Sequence, residues 1–252
     1  MRPTHTSTAP RAIAIWVILA AAGCTAGSPA SPAALPAASP ALPPPASTLD
    51  STPKESAKTA NRLMGDGSLA AGTYRVGFLL PLDVAFTVGS GWRAFEDWAL
   101  LNANNRTAVS FYRVVDVFAD PCHWKANAIR PAVGPTPADL VAAMARFPER
   151  SPTPSEPVTL DGWPGLVSEW SVPLDARFAA CDDGLYTSWS KSNWPASDFG
   201  LRFHQAPGQV DRIYALDIDG TRLVIDENWT PGTTAAELDE LRAVVESVTL
   251  TR

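Results

Sequence analysis

The fold is decided in the stretch DRIYALDIDGTRLVID, Asp211 to Asp226. Two runs rich in branched and aromatic residues meet at Asp219-Gly220, a pair suited to a type I′ turn because both central positions of that turn need positive φ. A two-residue turn there sets Ile218 opposite Thr221, Leu216 opposite Leu223 and Tyr214 opposite Ile225, all on one face. The same register brings Asp217 across from Arg222, an expected cross-strand ion pair worth about a few tenths of a kcal/mol if exposed. Asp217 and Asp219 thus belong to a hairpin. A calcium loop would need further oxygen ligands and a closing Glu that this stretch lacks.

Strand signals continue upstream. Val84, Phe86 and Val88 alternate as a half-buried strand should, and Gly89 to Gly91 then turns the chain. Val109, Phe111, Val115 and Val117 predict one long strand from about Ala108 to Phe118, closed by Asp120-Pro121. Val158 to Leu160 and the apolar residues Leu166, Trp170 and Val172 flank Asp161-Gly162, a second expected hairpin. Cys181 to Phe203 mixes Tyr186, Trp189 and Trp194 with Gly, Pro and Ser, leaving room for one or two short strands.

Two helices interrupt the strands. Thr136-Pro137-Ala138-Asp139 places an N-cap, a proline whose missing N–H is harmless at the first helical position, and an acid near the positive end of the dipole. Leu140, Met144 and Phe147 follow at helical spacing until Pro148. Thr234-Ala235-Ala236-Glu237 is a capping box, and Leu238, Leu241, Val245 and Val248 form the apolar stripe behind it, with a last strand possible from Val248 to Thr251. The expected class is α+β, an antiparallel sheet with two main helices packed on it.

The N-terminal region is of a different kind. Arg2 and Arg11 precede the apolar dozen IAIWVILAAAGC, Ile13 to Cys24, which is too short to span a bilayer comfortably and ends on small residues. That order is the pattern of a secretory signal peptide. Ala21-Ala22-Gly23-Cys24 resembles a bacterial lipobox, whose cysteine receives a diacylglyceryl group after cleavage on its N-terminal side. Thr25 to Ser56 is almost entirely Ala, Pro and Ser, so it cannot bury a core and is expected to be a disordered spacer. Thirty such residues reach on the order of 100 Å when extended. The expected division is residues 1–23 signal peptide, 24–67 lipidated cysteine and linker, and 68–252 one globular domain.

With Cys24 assigned to the lipid, Cys122 and Cys181 remain as a pair. An even number of cysteines in an exported domain suits a disulfide. The alternative is a metal site, since His123 follows Cys122 and Asp182-Asp183 follow Cys181, but no CxxC or HxxxH spacing supports zinc. The net charge of -6 becomes -8 once Arg2 and Arg11 leave with the signal, which argues against nucleic acid and against a polybasic hold on anionic lipid. Membrane attachment is therefore expected through the N-terminal lipid, with an envelope ligand or protein as the other partner. No cofactor is implied.

Catalytic patterns are sparse. His123 and His204 are the histidines of the domain, and no Gly-x-Ser-x-Gly elbow accompanies them. Asp182 with Asp183, and Glu237 with Asp239 and Glu240, read as a loop cluster and a solvated helix start rather than glycosidase carboxylates. The aromatic excess is the remaining hint. Trp124, Trp163, Trp189, Trp194 and Trp229 lie in or beside expected loops, where exposed rings could stack on a sugar or grip an apolar ligand; the competing expectation is core packing.

Several short motifs carry a wider resemblance. Gly72-Thr73-Tyr74, Phe86-Thr87-Val88 with Gly91-Trp92, Asp120-Pro121-Cys122, Leu160-Asp161-Gly162 and Leu216-Asp217-Ile218-Asp219-Gly220 resemble the recurrent pattern of exported domains in actinobacteria and related high-GC bacteria. The order of elements is distantly similar to that of LpqN-type lipoproteins with a PsbP/Mog1-like sandwich. These motifs are turns and strand starts, so the resemblance implies a fold and an address but no catalytic residue. The leading expectation is a non-catalytic, lipid-anchored binding or accessory module of the cell envelope. Its rivals are an envelope hydrolase built around His204 and Asp182, and a sensor domain acting through a protein partner.

Overall fold

The computed structural model describes residues 60–76, 82–129, 132–190 and 200–251. The signal segment, Cys24, most of the linker and Trp194 lie outside the described residues. In chain order the strands are β1 (Asn61–Arg62), β2 (Gly67–Ser68), β3 (Gly72–Val76), β4 (Asp83–Val88), β5 (Trp92–Phe95), β6 (Ala99–Asn102), β7 (Thr107–Tyr112), β8 (Asp116–Val117), β9 (Glu156–Leu160), β10 (Trp163–Ser171), β11 (Thr187–Ser190), β12 (Leu201–Phe203), β13 (Val210–Ile218), β14 (Thr221–Trp229) and β15 (Thr249–Thr251). The α-helices are α1 (Pro137–Met144) and α2 (Ala235–Glu246). Over the described residues the class is α+β, mostly antiparallel sheet with two α-helices.

The β13–β14 hairpin forms in the expected register, with Asp219 and Gly220 at φ 49° and 79°. Asp161 and Gly162 make the equivalent turn between β9 and β10, at φ 48° and 81°. Around these hairpins runs an eight-stranded antiparallel sheet in the order β2-β5-β6-β7-β14-β13-β10-β9. A second sheet orders β1-β3-β4-β15, and a third orders β12-β11-β8. The parallel β1–β3 pairing and the fully buried Leu63 extend the fold to residues ahead of Ser68.

Both faces of the β13–β14 hairpin are buried. Leu216, Ile218, Leu223 and Ile225 join Phe111, Val109 and Leu100 in one core cluster, together with Phe86 and Val84 of β4 and Leu241, Val244 and Val245 of α2. Ile213, Ala215 and Val224 point the other way and join Tyr112, Trp170, Trp189 and the α1 residues Leu140 and Met144. Both capping boxes are formed: Thr136 with Asp139, and Thr234 with Glu237. The Thr234 backbone N–H, with the Asn104 and Thr234 side chains behind it, holds the Glu237 carboxyl down at about 2.

Two expectations need correction. The long strand from Ala108 to Phe118 is broken at residues 113–115: β7 pairs with β6 and β14, whereas β8 pairs with β11 in the third sheet. Val109, Phe111 and Val117 are buried on both sides of the break, so the apolar alternation carries no mark of it. Asp217 and Arg222 do stand opposite each other, yet the guanidinium donates to the carbonyls of Gly134, Thr136 and Val114. Asp217 Oδ1 instead accepts the Gly220 N–H at 2.7 Å. Arg222 thus ties β14 to the segment entering α1, where carbonyls need donors.

Candidate functional site

On the α1 side of the eight-stranded sheet, Asp211 of β13 and Asp226 of β14 occupy the same face as Ile213, Ala215 and Val224. Strand alternation alone would send such acids to water, but here each is fully buried. Arg202 of β12 and Arg150, from the 3-10 turn Pro148–Arg150, meet them. Arg202 lies 2.7 Å from Asp211 Oδ1 through Nη2, and its Nε donates to Asp226 Oδ2. Arg150 Nη2 is 3.1 Å from Asp211 Oδ2, its Nε donates to the Ser171 carbonyl at 3.2 Å, and its Nη1 donates to Ser188 Oγ. The guanidinium carbon of Arg150 sits 3.8 Å from the ring centre of Trp170. Gln209 Nε2 adds a donor to Asp211 Oδ1 at 2.8 Å.

His204 completes the network. Its Nε2 is 2.6 Å from Ser188 Oγ, and its Nδ1 is 3.2 Å from Asp211 Oδ2 but off the line of a good hydrogen bond. Burial pulls the imidazole pKa down to about 3; Asp211 opposes this, and the two arginine charges reinforce it. At neutral pH the ring is neutral. Ser188 Oγ accepts from Arg150, and the direction of its hydrogen bond with Nε2 follows the tautomer of the ring. Burial would raise Asp211, but His204, Arg202 and Arg150 outweigh it and hold the carboxyl below the usual range. Asp226 moves the other way, raised by burial against the pull of Arg202 and with the repulsion of Asp211 added.

Ser188, His204 and Asp211 therefore stand in the order and spacing of a hydrolase triad. Their surroundings differ from one. Ser188 is 0% exposed, and its oxygen is occupied by a guanidinium, so no substrate carbonyl can reach it. The set works as a folded-state charge network in which two arginines balance two aspartates. His204 and Asp182, the pair of the rival hydrolase reading, engage different partners: Asp182 accepts the Lys125 N–H at 3.0 Å and lies 3.6 Å from His123.

Beside the network opens a cleft of about 270 Å³. Its floor is the same sheet face, contributed by Arg93 and Phe95 of β5, Ala99 and Leu101 of β6, Ala108, Ser110 and Tyr112 of β7, and Asn228 of β14. Leu201, Arg202, Phe203 and Gln205 form the opposing wall, and Trp98 closes one side. Arg202 belongs to both structures, so the charge network fixes one wall of the cleft. Arg93 is held at the rim by Asn105 Oδ1, which accepts from Nε at 3.0 Å and Nη2 at 2.7 Å. Among the described lining residues there is no Asp or Glu. The Glu96 carboxylate, one residue beyond Phe95, accepts the Trp98 indole N–H.

No family model matches the chain, and no curated protein does. Among the described residues no helix is long and apolar enough to cross a membrane. Cys122 and Cys181 form a disulfide that closes 59 residues.

Of the tryptophans singled out from the sequence, Trp124, Trp163, Trp189 and Trp229 stand elsewhere, and Trp194 lies outside the described residues. Trp124 and Trp189 are buried at 1% and 0% exposure, and Trp163 and Trp229 pack against the α2-side core. Trp163, Trp189 and Trp229 sit in strands and Trp124 in a 3-10 turn, rather than in open loops. Among the described residues the tryptophan that reaches the cleft is Trp98, with Phe95, Tyr112 and Phe203. The register of the three paired strands sets Arg93, Phe95, Leu101 and Ser110 on one face. Reading that face from the sequence needs the register of β5, β6 and β7 first.

Proposed function

We propose that this chain is a lipid-anchored, extracytoplasmic domain of the bacterial cell envelope that binds its ligand without chemical turnover. The observation that carries the binding half is the cleft beside β12, an apolar-lined recess with a few convergent polar groups, the usual composition of a small-molecule site. The address rests on the Arg-flanked apolar segment and on Cys24 in its lipobox-like setting, and the Cys122–Cys181 bond is in keeping with an oxidising compartment. The distribution of the two core clusters on opposite faces of the large sheet supports a layered arrangement of the PsbP/Mog1-like kind, with α1 and α2 on opposite sides.

Binding without turnover accounts for the burial of Ser188 and His204 and for the placement of the recess next to them rather than over them. A panel of envelope glycans, lipids and peptides offered to the purified protein tests the reading. Saturable binding lost on filling the cleft with Leu101→Trp is expected; turnover of any of these at a specific, mutable residue overturns it. The anchor has a separate test. A Cys24→Ala variant is expected in the soluble extracytoplasmic fraction, and one still held in the membrane fraction defeats that half.

A further inference from the structure

We propose that the cleft takes a small organic anion with a planar apolar body, of the aromatic-carboxylate type, and that Arg93 receives its carboxylate. This rests on the reading of the cleft as a binding site and specifies its ligand. Size is the first argument. At about 270 Å³ the recess falls just below the range that holds drug-sized ligands, so it suits one ring system and its substituent.

The second argument is the balance of charge. The chain is acidic, with a net charge of -6, yet the described lining carries two arginines and no acid. Those arginines are not equivalent. Arg202 is compensated by Asp211 and Asp226, both within ion-pair distance. Arg93 has the neutral Asn105 side chain as its partner among the described residues, so its positive charge is uncompensated there. Asn105 takes two of the five guanidinium N–H groups, on Nε and Nη2, and so fixes the plane of the fork, leaving the end-on pair of one Nη1 and the second Nη2 N–H for an incoming carboxylate. Holding the fork in place lowers the ordering cost of a bidentate contact.

Shape is the third argument. Phe95, Trp98, Tyr112 and Phe203 give the recess four aromatic surfaces, and Leu101 and Ala108 continue its apolar lining. Rings stack in offset or edge-to-face geometry on such surfaces, and a neighbouring apolar wall strengthens a charge-assisted hydrogen bond by excluding water. A polyanion is a poor fit, because among the described lining residues one cation is uncompensated.

Calorimetric titration of the full chain with phenylacetate and with the isosteric neutral phenylacetamide tests the assignment. Phenylacetate is expected to bind saturably and at least tenfold more tightly than the amide. Arg93→Gln should remove that preference while leaving the amide unchanged, Arg93→Lys should fall between, and Leu101→Trp should abolish both. Equal binding of acid and amide, or a preference that survives Arg93→Gln, overturns the anion assignment and leaves the cleft as a binding site. Absence of saturable binding by either probe also overturns it. The separate panel of neutral glycans and peptides then decides whether the binding reading itself stands.

Discussion

The two faces of the eight-stranded sheet bury similar backbone by different means. On the α2 side the contacts are mainly apolar, with Phe86 and Phe111 stacked at 5.3 Å and Leu241, Val244 and Val245 in one cluster with Leu216 and Ile225, and they include the buried Glu227, which accepts from the Tyr214 hydroxyl at 2.9 Å. The α1 side begins the same way at Ile213, Ala215 and Val224, then passes into a network of two arginines, two aspartates, a histidine and a serine before opening into the cleft. The apolar face derives its strength from area removed from water, and small changes in volume cost it little. The polar face depends on mutual compensation, where loss of one partner strands a charge. That dependence is what makes it a rigid wall for a site.

Breaking the polar face should have the largest effect. Arg202→Met leaves Asp211 and Asp226 facing each other, and a loss of about 3–5 kcal/mol is expected by chemical denaturation. Replacing Asp226 with Leu in the same chain should return part of that loss, since the stranded charge is reduced. If the single substitution costs under about 1 kcal/mol, the network is not the support described.

Removal of the disulfide comes next. Cys122→Ser with Cys181→Ser should lower stability by about 2–4 kcal/mol, because the 59-residue loop includes α1, β9 and β10 and returns to the strands over the polar face. The α2-side core should keep its hydrogen-exchange protection in that variant, and equal loss on both faces would remove the distinction between them.

The pH profile separates the faces more finely. His204 has its pKa lowered in the fold, so its contribution is lost as pH falls from about 6.5, its unfolded value, toward about 3. Asp226 is raised in the fold, so its contribution grows as pH falls toward the unfolded carboxylate value. The two oppose each other over that window. Below about pH 4 the lowered Asp211 joins His204 in favouring the unfolded chain, and stability should drop steeply. A His204→Gln variant, which keeps an amide beside Ser188, should instead gain on the order of 2 kcal/mol between pH 6.5 and 4. A flat profile in the variant would contradict the pairing of these two titrations.

The smallest effect is expected on the apolar face. Ile218→Val should cost about 1 kcal/mol and show the same cost at pH 5 and pH 7, because it lies at the turn end of that face, four residues along β13 from the Tyr214 that bonds the buried Glu227 carboxyl. A pH-dependent cost there would mean that the faces are coupled.

The contrast also governs what the sequence discloses. The hairpins, both helix starts, the α2 stripe and the cysteine pair were legible because local chemistry alone determines them: Asp-Gly turns, Thr-Pro ahead of an acid for one helix and Thr with Glu three apart for the other, apolar residues at helical spacing, two cysteines. The polar face was not. Asp211 and Asp226 occupy alternate strand positions that ordinarily face water, and they are buried only because β11 and β12 return over them from a segment with weak strand signals. The same long-range return explains why Trp189 reads as a loop residue and sits at 0% exposure, and why the strand break after Tyr112 leaves no trace in the apolar alternation. The cleft is a further step removed, since its lining is assembled from β5, β6, β7, β14 and β12.

The central claim, that the α1-side face carries the ligand while the α2-side face carries the fold, is tested most directly by methyl NMR of the full chain during titration with phenylacetate. The methyl groups of Ala99, Leu101, Ala108 and Leu201 line the cleft, and those of Ala94, Leu100, Val109 and Leu223 lie in the opposite core. Saturable shifts confined to the first set are predicted. Shifts centred on the second set, or drift in both sets without saturation, would contradict the account.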